Sequence, residues 1–463
     1  MTRRDLAIIG AGPAGMAAAA QAAALGLAVT LVDEQPRPGG QIYRDVDRAA
    51  ALRGAILGAD YGRGARLTAG LRRDGIDHVA GAVVWAIEEG FSILYTREGR
   101  GARIAADRVL LATGALERPM PLPGWTLPGV MTAGAGQILL KQSGVLARRA
   151  VLVGSGPLLY LIAAQMVRAG TPPLALVETQ SRGDLARAMG HAGGALRGWR
   201  YLAKGLGLLA EIARARVPRH TGATGIAIEG EGRAEAVRFT SRGRAHRIAC
   251  DTVFLHHGVV PNMQAARSLG VAHRWHQAQA CFVPQLDGWG RTEMPGLFIA
   301  GDGAGIGGAA AAEIAGRLAA LKLAEEAGRL SPEACDRQAR PLRAAQAREL
   351  AARAFLDRAY PPFAEALAPA DATVVCRCEE VTAGEIRGHA RLGCLGPNQA
   401  KAFGRAGMGP CQGRYCGLTV TALLAEANAR TPDETGYYRI RPPLKPVTLG
   451  ELAAMEDAAE AAQ

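Results

Sequence analysis

The stretch Leu6-Ala7-Ile8-Ile9-Gly10-Ala11-Gly12-Pro13-Ala14-Gly15 decides the fold. Four apolar residues in a row suit a parallel strand buried on both faces. The glycines that follow have G-x-G-x-x-G spacing. Gly10 permits the tight turn, Gly12 lets the backbone approach a pyrophosphate, and Gly15 lets the next helix pack close to the strand. Pro13 and Ala14 lead into a helix predicted over residues 16–25, whose N-terminal amides face the phosphates. Residues 28–32 form a second strand that ends in Asp33-Glu34. Asp33 stands where a carboxylate accepts ribose hydroxyls, roughly 20 residues past the glycines, with Glu34 as the alternative. Strand, turn, helix, strand and acid together read as a dinucleotide-binding unit.

Residues 6–32 are nearly uncharged and follow Met1-Thr2-Arg3-Arg4, which imitates a signal peptide or membrane span. The glycines at fingerprint positions and the acid behind them fit the nucleotide unit and not a span. The chain therefore reads as soluble and cytoplasmic.

A second unit begins at Ala150-Val151-Leu152-Val153, followed by G-S-G-P-L-L. Gly154 and Gly156 match the fingerprint, but Leu159 replaces the third glycine. A leucine there pushes helix and strand apart or demands compensation. Glu178 keeps the ribose-acid position. Three readings stay open: NAD(H), another adenine nucleotide, or the fold without a working site. His256-His257 closes the strand over residues 252–255 and reads as the end of this unit, with flavin-edge contact as the alternative.

Near the other end come Cys376-Arg377-Cys378 and Cys411-Gln412-Gly413-Arg414-Tyr415-Cys416. Two close cysteine pairs joined by a short helical stretch suit a small thiolate module. Four thiolates serve zinc or an iron–sulfur cluster. Thr382 and Glu385 form a capping box for a helix to about residue 392, and a second helix is predicted around residues 398–406. Cys394 lies between the pairs and reads as a small buried hydrophobe.

Bulk composition narrows the classes. The chain has 463 residues, of which 49% are hydrophobic, enough for several packed domains. Eight cysteines do not make a disulfide scaffold and suit a reducing compartment. No C-x-x-C follows Gly39-Gly40, which excludes a disulfide reductase. The formal net charge of +12 admits an acidic partner or a membrane surface, yet Arg is scattered along the sequence, and no aromatic-interleaved basic motif suggests nucleic acid. No residue set stands out that would deprotonate or orient a substrate, so no catalytic residue is assigned.

Further motifs carry a resemblance. Gly40-Gln41 follows the first acid, Val109 to Ala112 leads into Thr113-Gly114, and residues 292–302 read T-E-M-P-G-L-F-I-A-G-D, ending in Gly301-Asp302. Together they resemble the glutathione-reductase-like flavoprotein superfamily over residues 1–330. That resemblance implies FAD in the first unit, with Asp302 at the ribityl chain. The C-R-C-E-E-V-T and G-M-G-P-C-Q-G-R-Y-C-G segments resemble the bacterioferritin-associated-ferredoxin-like (BFD-like) 2Fe–2S domain, with C-x4-C in place of its usual C-x-x-C. The longer spacing is similar to that of the FAD and iron–sulfur components of amino-acid-type dehydrogenases: the A subunits of opine oxidases, the B subunits of hydrogen cyanide synthases and the alpha subunits of hydroxyproline dehydrogenases. Arg118-Pro119, residues 124–137 and the tail over residues 438–452 extend this likeness.

The resemblance implies an α/β chain with two doubly wound dinucleotide-binding domains plus a small C-terminal 2Fe–2S domain. Expected boundaries are an FAD domain over 1–120 and 285–330, a second nucleotide domain over 121–284, a helical linker over 331–370, the cluster domain over 371–427 and a tail over 428–463. Implied partners are a D-amino-acid-oxidase-like flavoprotein subunit and a small ferredoxin-like subunit. The complex would be cytoplasmic or peripheral at the inner membrane. A self-contained NADH-dependent reductase of a small electron carrier is the competing reading.

Overall fold

The computed structural model describes residues 3–460. The opening apolar run is the strand Leu6–Ile9, paired with Val29–Asp33 on one side and, from Ala7 on, with Val109–Leu111 on the other. The parallel sheet runs Leu297–Ile299, Val109–Leu111, Leu6–Ile9, Val29–Asp33, Ile76–Ala80. Its first strand arrives only after the whole second unit has been built, so the first unit is discontinuous in sequence. The helix Pro13–Ala24 packs against Ala309–Glu326. Gly316 makes that packing possible, because a Cβ there would lie 2.1 Å from the Ala14 carbonyl oxygen.

The second sheet repeats the plan: Arg219–Thr221, Ala175–Glu178, Ala150–Gly154, Thr252–His256, Val130–Thr132, all parallel. Each unit also carries a three-stranded antiparallel sheet. The two units are joined where Ala115–Glu117 pairs antiparallel with Val259–Pro261.

Leu159 finds its compensation in the core. Its side chain is fully buried with Leu152, Leu176 and Phe254, so the helix Pro157–Arg168 is held by apolar packing where the first unit uses a bare glycine contact.

Three helices follow in the linker: Pro332–Leu350, Arg353–Ala359 and Ala364–Leu367. The thiol module starts with Val374–Cys376 paired to Val381–Thr382, and the Thr382–Glu385 capping box is present in both directions ahead of Ala383–Arg391. The second module helix is Pro397–Gly404 and a third is Gly417–Ala427. This module does not hang free. Val375, Ile386, Leu423 and Tyr438 belong to one continuous apolar cluster with Ile9, Leu111 and Phe282.

Candidate functional site

At the first fingerprint the chain makes an open cradle. Gly10 has φ +107°, and a Cβ there would meet the Ala112 carbonyl oxygen at 2.5 Å. A Cβ on Gly15 would meet the Gly10 carbonyl oxygen at 1.9 Å. Gly12, by contrast, has only the Cα of Gly40 within reach, at 3.9 Å, so its outer face is free for a ligand. Pro13 and Ala14 start the helix behind it. Space, free amides and a helix N-terminus fit a dinucleotide pyrophosphate.

Asp33 is drawn into this turn. Its carboxylate accepts from Ala11 N at 2.5 Å and from Gln35 N at 2.7 Å. Burial nevertheless pushes its carboxyl above the usual value. Glu34 is half exposed and pairs with Lys445 at 2.8 Å. Burial alone would raise Glu34, but the hydrogen bond and charge of Lys445 outweigh it and hold the carboxyl low. The backbone oxygens of Gln41 and Ile42 accept from the buried ammonium of Lys141, at 3.1 and 2.9 Å, a residue the sequence reading missed. Burial first, and the Arg44 charge second, push Lys141 down to about 7.

The two remaining flavin motifs converge on the same region. Asp302 accepts from Gly307 N and Gly308 N, both at 2.9 Å, through one carboxylate oxygen. It thereby shapes the loop that starts the helix Ala309–Glu326 just behind Gly301. Thr113 donates to the Asn262 carbonyl at 3.1 Å, and Gly114 accepts from Asn262 N at 2.9 Å. The fold thus gathers the turn glycines with Gly40, Thr113 and Gly301: Gly40 comes against Gly12, Gly301 against Ala14 and Gly10 against Ala112 and Thr113, while Glu34 turns to Lys445.

The second fingerprint is built differently. Gly154 is pressed against His256, whose carbonyl oxygen would lie 1.6 Å from a Cβ there. Gly156 faces the imidazole of His256. Glu178 is completely buried and already engaged: Tyr160 donates at 2.5 Å, Gln180 at 2.8 Å, and Arg219 clamps both oxygens at 2.8 and 2.9 Å. The linker crosses this end of the sheet. Ser155 donates to the Pro361 carbonyl at 3.3 Å, Tyr360 packs edge-on against Tyr160, and Phe363 N donates to His257. His256 binds Glu117 at 2.6 Å and His257 binds the Pro119 carbonyl, so both histidines tie the end of this unit to the segment that joins it to the first.

The four cysteines meet as two pairs drawn from different loops. Cys376 lies against Cys416, and Cys378 against Cys411. The Cys416 thiol, then backbone amides including that of Gly407 (3.4 Å), hold Cys376 down to about 6. Cys376 and burial push Cys416 well up. A Cβ on Gly409 would lie 2.3 Å from that of Cys378, so only glycine lets the loops close. Among the described residues no three His, Cys, Asp or Glu side chains are arranged to hold a single metal ion. Four thiols arranged as two facing pairs are a donor set that either zinc or an iron–sulfur centre accepts. Tyr438 covers the buried pair, its hydroxyl 3.9 Å from Cys416 Sγ, and Tyr437 donates to the Gly413 carbonyl at 3.0 Å. All eight cysteines are free, and Cys394 is buried away from the pairs, bonded only through its backbone.

Comparison with known proteins agrees with this architecture. Residues 4–328 match the pyridine nucleotide-disulphide oxidoreductase family and residues 371–456 the sarcosine oxidase A3 domain. The chain is 44% identical over 467 residues to the A subunit of opine oxidase from Rhizobium meliloti, covering 99% of this chain and 88% of that one. It is 34% identical to hydrogen cyanide synthase subunit HcnB of Pseudomonas aeruginosa, covering 95% and 96%. Among solved structures, L-proline dehydrogenase from P. horikoshii superposes with a TM-score of 0.71 at 20% identity, over 97% of this chain and 79% of that one, and so shares the fold. The chain belongs to the pyridine nucleotide-disulphide oxidoreductase family, in the branch of the opine oxidase A subunits and HcnB, and is a flavoprotein oxidoreductase.

Proposed function

We propose that this chain is the electron-relay subunit of a hetero-oligomeric dehydrogenase or oxidase acting on the C–N bond of an amino acid or opine. The similar proteins are subunits by name, which supports an assembly in which a D-amino-acid-oxidase-like flavoprotein carries out the amine chemistry. When bound, FAD takes electrons singly or in pairs and a 2Fe–2S centre takes them singly.

The chain's own residues divide the work. Gly10, Gly12, Gly15 and Gly40 leave room for the dinucleotide, Asp33 and Asp302 fix the loops around it, and Cys376, Cys378, Cys411 and Cys416 would hold the cluster. Cys378 is exposed whereas Cys376 and Cys416 are buried. Exposed Phe403, Met408 and Tyr415 belong to the same module, an apolar setting suited to a protein partner.

The observation that carries this reading is the junction between the two cofactor regions. Gln264 donates to the Gln412 carbonyl at 3.1 Å, beside Cys411, and Asn262, two residues away, bonds Thr113 and Gly114 at the flavin turn. The competing reading, a self-contained NADH-dependent reductase, is disfavoured by the engaged Glu178 and the covered second turn.

The test is anaerobic absorbance of the chain purified with both cofactors. Flavin and cluster should bleach with an opine or amino acid only when the partner subunit is present, and dithionite should bleach them in either case. Prompt flavin bleaching by NADH without the partner would replace the relay reading with the reductase.

A further inference from the structure

Residues 182–216 hold seven Lys and Arg against two Asp and Glu, a net of +5 within the chain's formal +12. The linear scatter of arginine thus hides a concentration on one helical insertion. This insertion comprises Arg182–Ala188, Ala192–Arg197 and Trp199–Arg214. It packs on the helices Pro157–Arg168 and Arg353–Ala359.

Both acids are used internally. Asp184 caps its own helix and binds Arg187, and Glu211 binds Arg168. Lys204 is paired with Asp60. Arg182, Arg197, Arg200, Arg214 and Arg216 are exposed, and their side chains have no ion-pair or hydrogen-bond partner among the described residues. Their charge faces outward uncompensated.

Large apolar side chains stand among them. Leu196 is 71% exposed, Leu206 68%, Trp199 60%, Met189 59% and Leu185 53%. On the last helix, Trp199, Ala203, Leu206 and Ala213 recur at helical spacing along one exposed face, while Leu208 and Ile212 are buried on the opposite side. An apolar stripe with Trp, flanked by unpaired arginines and no free acid, is the composition of an interfacial helix. Trp, Met and Arg are enriched in protein interfaces too, but a protein partner would have to supply a separate acid for each of these five unpaired arginines. An anionic lipid surface neutralises them collectively and takes up the apolar side chains. No described helix is long and apolar enough to cross a membrane, so contact is at the surface.

We propose that the insertion formed by residues 182–216 is a docking face for an anionic bilayer surface. Arg197 and Arg200 draw the chain to acidic headgroups, and Trp199, Leu196 and Leu206 enter the headgroup–acyl boundary. The assignment concerns this chain's own surface and stands whether or not the relay function is correct.

The test is vesicle flotation of the full, cofactor-loaded chain, alone and with its partner subunit. Vesicles of phosphatidylcholine are compared with vesicles containing about one third phosphatidylglycerol, at low salt and at ~1 M salt, where the Debye length is ~3 Å. Binding should require the acidic lipid and fall steeply with salt. The double variants R197E/R200E and W199S/L206S should each bind at least tenfold more weakly, with flavin absorbance and melting temperature unchanged. A control, R233E/R242E, outside the insertion, should bind like the unaltered chain. No lipid binding, equal binding to neutral vesicles, or well-folded double variants that still float would overturn the proposal. It would also be overturned if the chain were a dimer dissolved by W199S/L206S, or if the complex with its partner ignored vesicles.

Discussion

The two nucleotide-binding units share a sheet plan and differ at the turn. In the first, the acid at the end of the second strand binds only backbone and Gly12 is open. In the second, Glu178 is satisfied by Tyr160, Gln180 and Arg219, His256 crowds both glycines, and the linker lies across the front. The same fingerprint thus leaves an open cradle in one place and a turn filled by its own side chains in the other. A matching acid is therefore not evidence of a ribose site until its hydrogen bonds have been accounted for. A buried carboxylate that already accepts four hydrogen bonds, from Tyr160, Gln180 and both arms of Arg219, has nothing left to offer a ligand without losing a partner.

Several substitutions would break or sharpen this contrast. The largest effect is expected from Gly15→Leu, which gives the first turn the residue of the second. A side chain 1.9 Å from the Gly10 carbonyl cannot be accommodated, so FAD content, read from absorbance per chain, should fall to background. Retention of normal flavin would show that the first turn does not depend on close helix–strand packing. Next comes Glu178→Ala. It orphans a buried tyrosine hydroxyl and a partly buried arginine, and breaking such a pair costs about 3 kcal/mol. Urea unfolding should register that loss while FAD content and the absence of NADH bleaching stay as they were. A large change in NADH response would return Glu178 to a ligand role.

A smaller and pH-dependent effect is expected at Lys141, which ties Gln41 and Ile42 of the first site to the helix Ala133–Ser143. Its ammonium titrates near 7 when folded against an ordinary 10.5, so between those values the unfolded chain binds more protons than the folded one. Stability from this group therefore rises as pH climbs from about 7 towards 10.5. Urea midpoints of the unaltered chain should climb relative to Lys141→Met across that window; parallel curves would mean that the ammonium is not desolvated. The smallest effect belongs to Tyr360→Ala, which removes an edge-on aromatic contact worth about 1 kcal/mol. The melting temperature should drop slightly, and NADH should remain without effect because Glu178 is still engaged.

Local chemistry was readable in the sequence wherever neighbours in the chain determine it. The strand Leu6–Ile9, the turn glycines and the Thr382–Glu385 capping box each depend on residues a few positions apart. What escaped depends on partners distant in sequence. Arg219 reaches Glu178 across a strand order that no spacing rule encodes, and Lys141 inserts beneath Gln41 from another unit. The thiols illustrate the limit within one site. Their membership follows from the motifs, but their cross-loop pairing, Cys376 with Cys416 and Cys378 with Cys411, is a property of the folded loops. The basic insertion escaped for a further reason: its net charge of +5 is present in the sequence, but only the fold shows that Arg182, Arg197, Arg200, Arg214 and Arg216 are exposed and lack partners among the described residues.

The segment that covers the thiols is also anchored to the first unit, since Leu444 N donates to the Trp85 carbonyl and Lys445 binds Glu34. The cover is therefore held at two places, by Tyr438 on Cys416 and by Lys445 on Glu34, so whatever loosens the first unit at the end of its second strand also loosens the lid over the buried thiol pair.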